Sequence, residues 1–191
     1  TGNPPEGRFP FADNAQNAQV VMSSARMILI ALGANLSSRV GTPAETLRAA
    51  LVELSRNGIA PLAVSRFYQT PAWPAPAEPS FVNGVSSVRT ELSPEQLLDC
   101  LHAVERMYGR ERSARNAPRT LDLDILDYHG TVQSGPPELP HPRLHDRAFV
   151  LIPLRDVAPG WRHPASGQSL DELITALPAA ERGAVKAISD H

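Results

Sequence analysis

Two short stretches decide how this chain can fold. Thr42-Pro43-Ala44-Glu45 and Ser93-Pro94-Glu95-Gln96 each place a hydroxyl residue before a proline, with Glu or Gln three residues on. That is the chemistry of a helix start: the hydroxyl takes an orphan backbone N–H, and the acid or amide answers the cap's own N–H. Each start leads into a helical stripe. Leu47, Leu51 and Leu54 precede Gly58; Leu97, Leu98, Leu101, Val104 and Tyr108 precede Gly109. Between and around these helices run short apolar segments of β character. Met27–Leu32, stopped by Gly33, reads as a buried central strand, and 62–69 as another. Residues 80–90 alternate, with Phe81, Asn83 and Val85 on one face and Val82, Gly84 and Val88 on the other. Leu121–Leu126 is a further strand, and the prolines of 70–76 stiffen the loop ahead of 80–90.

The order from 27 to 126 is therefore β-α-β-β-α-β. It predicts an α+β fold: a ferredoxin-like antiparallel sheet with both helices on one face and a C-terminal extension. The other face is left for the C-terminal third or a ligand to cover. The pattern does not fix the form of 147–154, and a last helix is expected from Ser169, with Glu172 three residues on. Residues 1–26, rich in Asn, Gln, Ala, Gly and Pro, read as an N-terminal extension, native or left from cloning, ahead of a single domain over 27–191. The only cysteine, Cys100, cannot form an internal disulfide and reads as a helix-packing residue. No apolar run approaches the ~18 residues of a membrane span, and no signal peptide is evident. A soluble, cytoplasmic protein is expected. The net charge of −2 argues against a globally basic nucleic-acid binder.

Chemistry concentrates around Leu121-Asp122-Leu123-Asp124-Ile125. On a strand Asp122 and Asp124 share one face about 7 Å apart, while Leu121, Leu123 and Ile125 point into the core. The pair admits two readings, a solvated acidic edge or a hard divalent cation that relieves the repulsion. The segment just before it favours the cation. Arg106, Arg110, Arg112, Arg115 and Arg119 stand against a single acid, Glu111, for a charge of +4. Arginine forks suit phosphate oxygens. A cationic loop beside an acidic strand face is what a metal–polyphosphate complex needs. His141, between Pro140 and Pro142, reads as a phosphate ligand or a structural histidine. Phe81 and Asn83 read as a stacking ring and an amide for a heterocycle edge, or as core and turn residues. No Ser, Cys or His nucleophile motif is present. A Mg²⁺-dependent phosphohydrolase stays open as a rival enzyme. An RNA-binding sheet is disfavoured by the charge and by the lack of an aromatic RNP1-type run.

At these residues the sequence resembles the 6-hydroxymethyl-7,8-dihydropterin pyrophosphokinases of folate biosynthesis, from about Met27 to Pro159. The likeness is carried by Ala31-Leu-Gly-Ala-Asn-Leu36, Ser65-Arg-Phe-Tyr-Gln-Thr-Pro71, Phe81-Val-Asn83, Glu105 with Gly109-Arg110, Pro118-Arg-Thr-Leu-Asp-Leu-Asp-Ile125, Pro140-His-Pro-Arg143 and Arg147-Ala-Phe149. It implies pyrophosphoryl transfer from ATP, as co-substrate, to the pterin hydroxymethyl oxygen, with release of AMP. It implies two Mg²⁺ held by Asp122 and Asp124. Arg110, Arg112, Arg115 and Arg119 would grip or cover phosphates, with Arg110, Arg119 and the two Asp as the catalytic set. Glu105, Ile125, His141 and Arg147 would contact ATP. Thr70, Pro71, Phe81, Asn83 and Phe149 would form the pterin pocket, with Phe81 and Phe149 sandwiching the ring. The partners implied are these two small substrates, with no nucleic acid and no membrane, bound by a monomer. Two departures stand out. Asn116 occupies a place where many members have Trp, and the Gly109–Pro118 segment is about one residue shorter than in some members.

Overall fold

The computed structural model describes residues 27–72, 79–110 and 118–189. Strand β1 (Ile28–Ala34) runs through the middle of an antiparallel sheet, between β4 (Phe81–Arg89) and β5 (Asp122–Tyr128). Along the far edge of β4 lie two short strands end to end. β2 (Ala60–Val64) pairs with its C-terminal half and β3 (Tyr68–Thr70) with its start. A two-residue strand near the C-terminus, β6 (Lys186–Ala187), closes the outer side of β3. The order is β5-β1-β4-β3-β6, with β2 also on β4.

Two expectations change here. The strand expected over 62–69 is broken into β2 and β3, and the break centres on Ser65. Its backbone N–H donates to the Val85 carbonyl (2.9 Å) while its hydroxyl accepts from the Val85 N–H (3.0 Å). A side-chain oxygen thus takes the place of a ladder carbonyl, and the register shifts. Val64 stands opposite Ser86, but Tyr68 opposite Asn83. The second change is that β1 does not stop at Gly33. Pairing on both sides, to Asn83 and to Asp122, carries the strand through to Ala34.

Both capping boxes form as their chemistry predicts, opening α1 (Pro43–Arg56) and α2 (Pro94–Met107). Their apolar stripes, Leu47, Ala50 and Leu54 with Leu97, Leu101 and Val104, pack on Ile28, Ile30 and Leu32 of β1 and on Leu121, Leu123 and Ile125. The opposite face is covered by the C-terminal third. The segment left open at 147–154 is a helix, α3 (Ala148–Val157), whose Val150, Leu151 and Leu154 cover Leu29 and Val85. Its branched residues and the internal Pro153 mask the helical period in the sequence. α4 (Leu170–Ala176) opens at Ser169 with the expected Glu172 box, and a short α5 (Ala179–Ala184) follows.

This second core contains a buried acid. Asp127 and Trp161 are each 1% exposed; the indole Nε1 donates to Oδ2 (2.7 Å) and the Gly130 N–H to Oδ1 (2.8 Å). Burial pushes the Asp127 carboxyl above its usual range, and these two donors oppose the shift. Among the described residues no helix is long and apolar enough to cross a membrane.

Candidate active site

The register of three strands builds the floor of the site. Gly33 lies directly between Asn83 on β4 and Asp122 on β5. A Cβ at Gly33 would come within 3.2 Å of Asn83 Oδ1, so the glycine keeps the groove between the amide and the carboxylate open. As period 2 requires, Asp122 and Asp124 project from β5 away from the α1–α2 core that holds Leu121, Leu123 and Ile125.

Cations surround both carboxylates. Asp122 Oδ2 accepts from Arg119 Nη1 (2.7 Å), and Oδ1 forms a close ion pair with Arg110. Arg110 also pairs closely with Glu105 on α2. Around Asp124 the contacts are looser: Arg147 Nη1 stands 4.0 Å and His141 Nε2 3.9 Å from Oδ2, and the side chain is 40% exposed. Desolvation first, then repulsion from Asp122, raises the Asp124 carboxyl above its ordinary range despite the arginines. Burial lowers His141 to about 4, helped by Arg147 and Arg143. His141 is thus a neutral ring near pH 7, and its Nδ1 accepts from the Arg143 backbone (3.1 Å).

Glu105, expected to contact ATP, stands on α2 behind this cluster. Its side chain is 3% exposed, beneath Arg110, and Oε1 accepts the Leu123 N–H of β5 (2.8 Å). Burial raises this carboxyl to about 7, with the Leu123 bond and Arg110 opposing. Glu105 thereby ties β5 and Arg110 to α2. Ile125 packs its side chain into the α1–α2 core.

The remaining expected residues collect beside the acids. Asn83 Nδ2 donates to Thr70 Oγ1 (2.8 Å), and the Arg119 guanidinium lies 6.0 Å from the Phe81 ring. Phe149, in the first turn of α3, is 37% exposed, and the Arg147 guanidinium lies 5.5 Å from its ring. Pro71 follows directly on β3. Arg112, Arg115 and Asn116 lie outside the described residues, as do Trp73 and the 1–26 segment.

Two functional positions carry no catalytic signature in the sequence. Gly33 is one; a glycine inside a β run, flanked by residues that keep the strand going, is its only trace. The other is Asn35. Its Oδ1 accepts the Arg119 N–H (2.7 Å), its Nδ2 donates to the Pro79 carbonyl (3.2 Å), and the N–H groups of Asn35 and Leu36 both donate to the Arg119 carbonyl. This asparagine fixes the backbone from which Arg119 reaches Asp122.

The donor set fits a hard cation. Two carboxylates at i and i+2, one raised by desolvation and by the other's charge, would be relieved by a divalent ion. Among the described residues no cluster of three or more His, Cys, Asp or Glu could hold a metal by itself. Such an ion would therefore draw its other ligands from water and substrate.

Comparison with known proteins bears on the same residues. The family model described as 7,8-dihydro-6-hydroxymethylpterin-pyrophosphokinase (HPPK) matches residues 29–159. A Pseudomonas aeruginosa protein named 2-amino-4-hydroxy-6-hydroxymethyldihydropteridine pyrophosphokinase is 44% identical over 154 residues, covering 79% of this chain and 91% of that one. A Haemophilus influenzae protein of the same name is 39% identical over 164 residues, covering 85% and 92%. Among solved structures, wild-type Plasmodium falciparum HPPK-DHPS superposes with a TM-score of 0.58 at 11% identity, over 78% of this chain. This chain spans only 44% of that structure, and the likeness bears on the fold alone.

Proposed function

Because the chain belongs to the 7,8-dihydro-6-hydroxymethylpterin pyrophosphokinase family, we propose that it transfers the pyrophosphoryl group of ATP to the hydroxymethyl oxygen of 6-hydroxymethyl-7,8-dihydropterin in folate biosynthesis. The hydroxymethyl oxygen attacks the β-phosphorus, the bond to the α-phosphate oxygen breaks, and AMP leaves; the hydroxyl proton passes to solvent. The observation that carries this reading is the paired Asp122 and Asp124 on one strand face, hemmed by Arg110, Arg119 and Arg147. Phosphoryl-group transfer asks little covalent chemistry of a protein and much positioning and charge neutralisation.

In this reading Arg110 and Arg119 act on the phosphates, and Asn35 holds Arg119 in place. Arg112 and Arg115 join them by family likeness. His141 and Arg147 bind ATP from the Asp124 side, His141 as a neutral hydrogen-bonding ring. Ile125, its side chain committed to the core, would meet the nucleotide through the backbone of β5, the end strand of the sheet. On the other side of Gly33, Asn83 and Thr70 read the polar edge of the pterin, Pro71 walls the pocket, and Phe81 and Phe149 take the ring between them. Base–aromatic stacking is worth roughly 1–3 kcal/mol per base, a guide for a pterin. Asp122 and Asp124 would hold two Mg²⁺, which supply charge neutralisation to the triphosphate.

We also assign the sheet to the ferredoxin-like class, with β2 and β3 sharing the place of one edge strand and residues after Tyr128 as the C-terminal extension. The domain is taken as 27–191, preceded by an extension over 1–26, and the enzyme as a cytoplasmic monomer with no nucleic-acid partner.

The test is product analysis. ATP, Mg²⁺ and protein are mixed with and without the pterin, and AMP, ADP, phosphate and pyrophosphate are quantified. AMP that appears only with pterin supports the reading. Phosphate or pyrophosphate released without the acceptor would favour a phosphohydrolase. Asp122→Ala and Asp124→Ala should each retain less than a tenth of the rate, a loss above ~1.4 kcal/mol in barrier. Both should also weaken Mn²⁺ binding, read by electron paramagnetic resonance. Unchanged Mn²⁺ binding would remove the carboxylates from the metal site.

A further inference from the structure

Charge pins α3 to the sheet at both ends. At its start Arg147 approaches Asp124 of β5 (4.0 Å). Near its other end Asp156 gathers the junction between β2 and β3. Its Oδ2 accepts from the Arg66 backbone N–H (3.2 Å), from Arg66 Nε (3.1 Å) and from the Tyr68 hydroxyl (2.9 Å). Its Oδ1 accepts from Arg66 Nη2 (3.0 Å), which also donates to the Tyr68 oxygen (2.8 Å). The hydroxyl therefore accepts from one charged partner and donates to another, so its direction is fixed.

Tyr68 stands next to the pocket described above. It lies directly opposite Asn83, and Thr70 lies directly opposite Phe81. Antiparallel partners point to one face, so Tyr68, Thr70, Phe81 and Asn83 form a single patch on the α3 side. β3 is only three residues long, with a two-residue strand on its outer side, and has few ladder bonds of its own to keep it in place. The same helix that Asp156 fixes to this patch carries Phe149 in its first turn.

We infer that Asp156, acting through Tyr68, is a positioning residue for pterin binding: it sets the distance between α3, with Phe149, and the strand pair that bears Thr70, Phe81 and Asn83. The inference rests on the pterin pocket proposed above. Neither Asp156 nor Tyr68 needs to touch the substrate. The exposed Arg66 arm of the cluster adds little stability, because solvent screens an exposed ion pair. What the cluster supplies is direction, because Tyr68 is buried and its hydroxyl has one carboxylate to meet.

The experiment compares Tyr68→Phe, which keeps the ring, with Asp156→Ala and Asp156→Asn. The readouts are KM for pterin, KM for ATP, kcat and the melting temperature. Tyr68→Phe and Asp156→Ala should each raise the pterin KM about tenfold, the scale of one lost directional hydrogen bond. The ATP KM should stay within about twofold, the scale of an unperturbed site. Asp156→Asn keeps an oxygen for the hydroxyl and should recover most of the loss. The double variant should be no worse than Asp156→Ala alone. A pterin KM that stays at the wild-type value in both Tyr68→Phe and Asp156→Ala overturns the inference. So does a parallel rise in both KM values with a lowered melting temperature, the signature of a general prop. If the wild type itself releases no AMP with pterin, the proposed function fails and takes this role with it. A wild type that turns over beside variants of normal pterin KM overturns the positioning role alone.

Discussion

Gly33→Ala separates the two halves of the site with one methyl group. The new Cβ would lie 3.2 Å from Asn83 Oδ1 but 3.8 Å from Asp122 Cβ. The second distance is ordinary contact; the first requires the amide to give by a few tenths of an ångström. Asn83 cannot yield freely, because its Nδ2 is tied to Thr70 Oγ1 at 2.8 Å. Mild overpacking of this kind costs at the low end of the usual range, about 1 kcal/mol. For a chain of this size that lowers the melting temperature by roughly 2–4 °C. The functional effect should be one-sided. A displaced Asn83 would lose the hydrogen bond proposed to the pterin edge, worth about 1–1.5 kcal/mol, or up to about tenfold in pterin Kd. ATP binding, on the Asp122 side, should change less than about twofold, the scale of an unperturbed site. Fluorescence titration of the pterin and calorimetry of a non-hydrolysable ATP analogue with Mg²⁺ give the two constants. The cycle with Asn83→Ala sharpens the test: once the amide is gone, the methyl should add nothing. Additive losses, or an equal loss for ATP, would refute the view that Gly33 serves the pterin side by leaving room for Asn83.

Two further outcomes concern stability. Trp161→Phe removes the donor that satisfies the buried Asp127 Oδ2, and an orphaned buried acceptor together with lost packing should cost about 3 kcal/mol; a loss below about 1 kcal/mol in urea unfolding would show that water replaces the indole. Glu105→Gln should make the metal-free protein more sensitive to acid. Glu105 has a folded pKa raised to about 7, so its contribution is full below the unfolded value and is lost as pH rises through 7. His141, lowered to about 4, works in the opposite sense, and its contribution is lost as pH falls below its unfolded value. Removing the glutamate leaves the histidine unopposed and should steepen the stability loss between pH 8 and pH 5 by roughly 2 kcal/mol. Parallel pH profiles for the variant and the wild type would place the Glu105 carboxyl near its normal range.

Much of this architecture could be read along the chain wherever the deciding interaction is local. The capping boxes at Thr42, Ser93 and Ser169 close within three residues and form as their chemistry requires. The i, i+2 spacing of Asp122 and Asp124 is enough to put both on one face of β5. The sequence is silent where a partner lies far off in the chain. A strand through Ser65 looks continuous until Val85 exchanges two hydrogen bonds with it across the sheet. α3 looks ambiguous because half of its residues are buried and its polar residues, Arg155 and Asp156, come only near its end, too few to mark its period.

The same distinction sorts the site residues. Most of the residues proposed to meet substrate are charged or aromatic and stand out in a charge-dense loop or an alternating strand. Those that hold them are Asn35, Glu105, Tyr68 and Asp156, and each finds its partner across a gap in the chain that only the fold closes. Asn35 fixes Arg119 and Glu105 fixes Arg110, so the two arginines on Asp122 are each anchored from a different element, one from the end of β1 and one from α2. With that anchoring, a cation bound at Asp122 as proposed would not meet a flexible pair of arms. It would have to displace, or share the carboxylate with, guanidinium groups whose backbone or neighbouring carboxylate is already held. Phosphates accompanying the cation would offer those guanidinium groups a replacement anion at the same location, so joint binding of metal and nucleotide should be more favourable than binding of the metal alone.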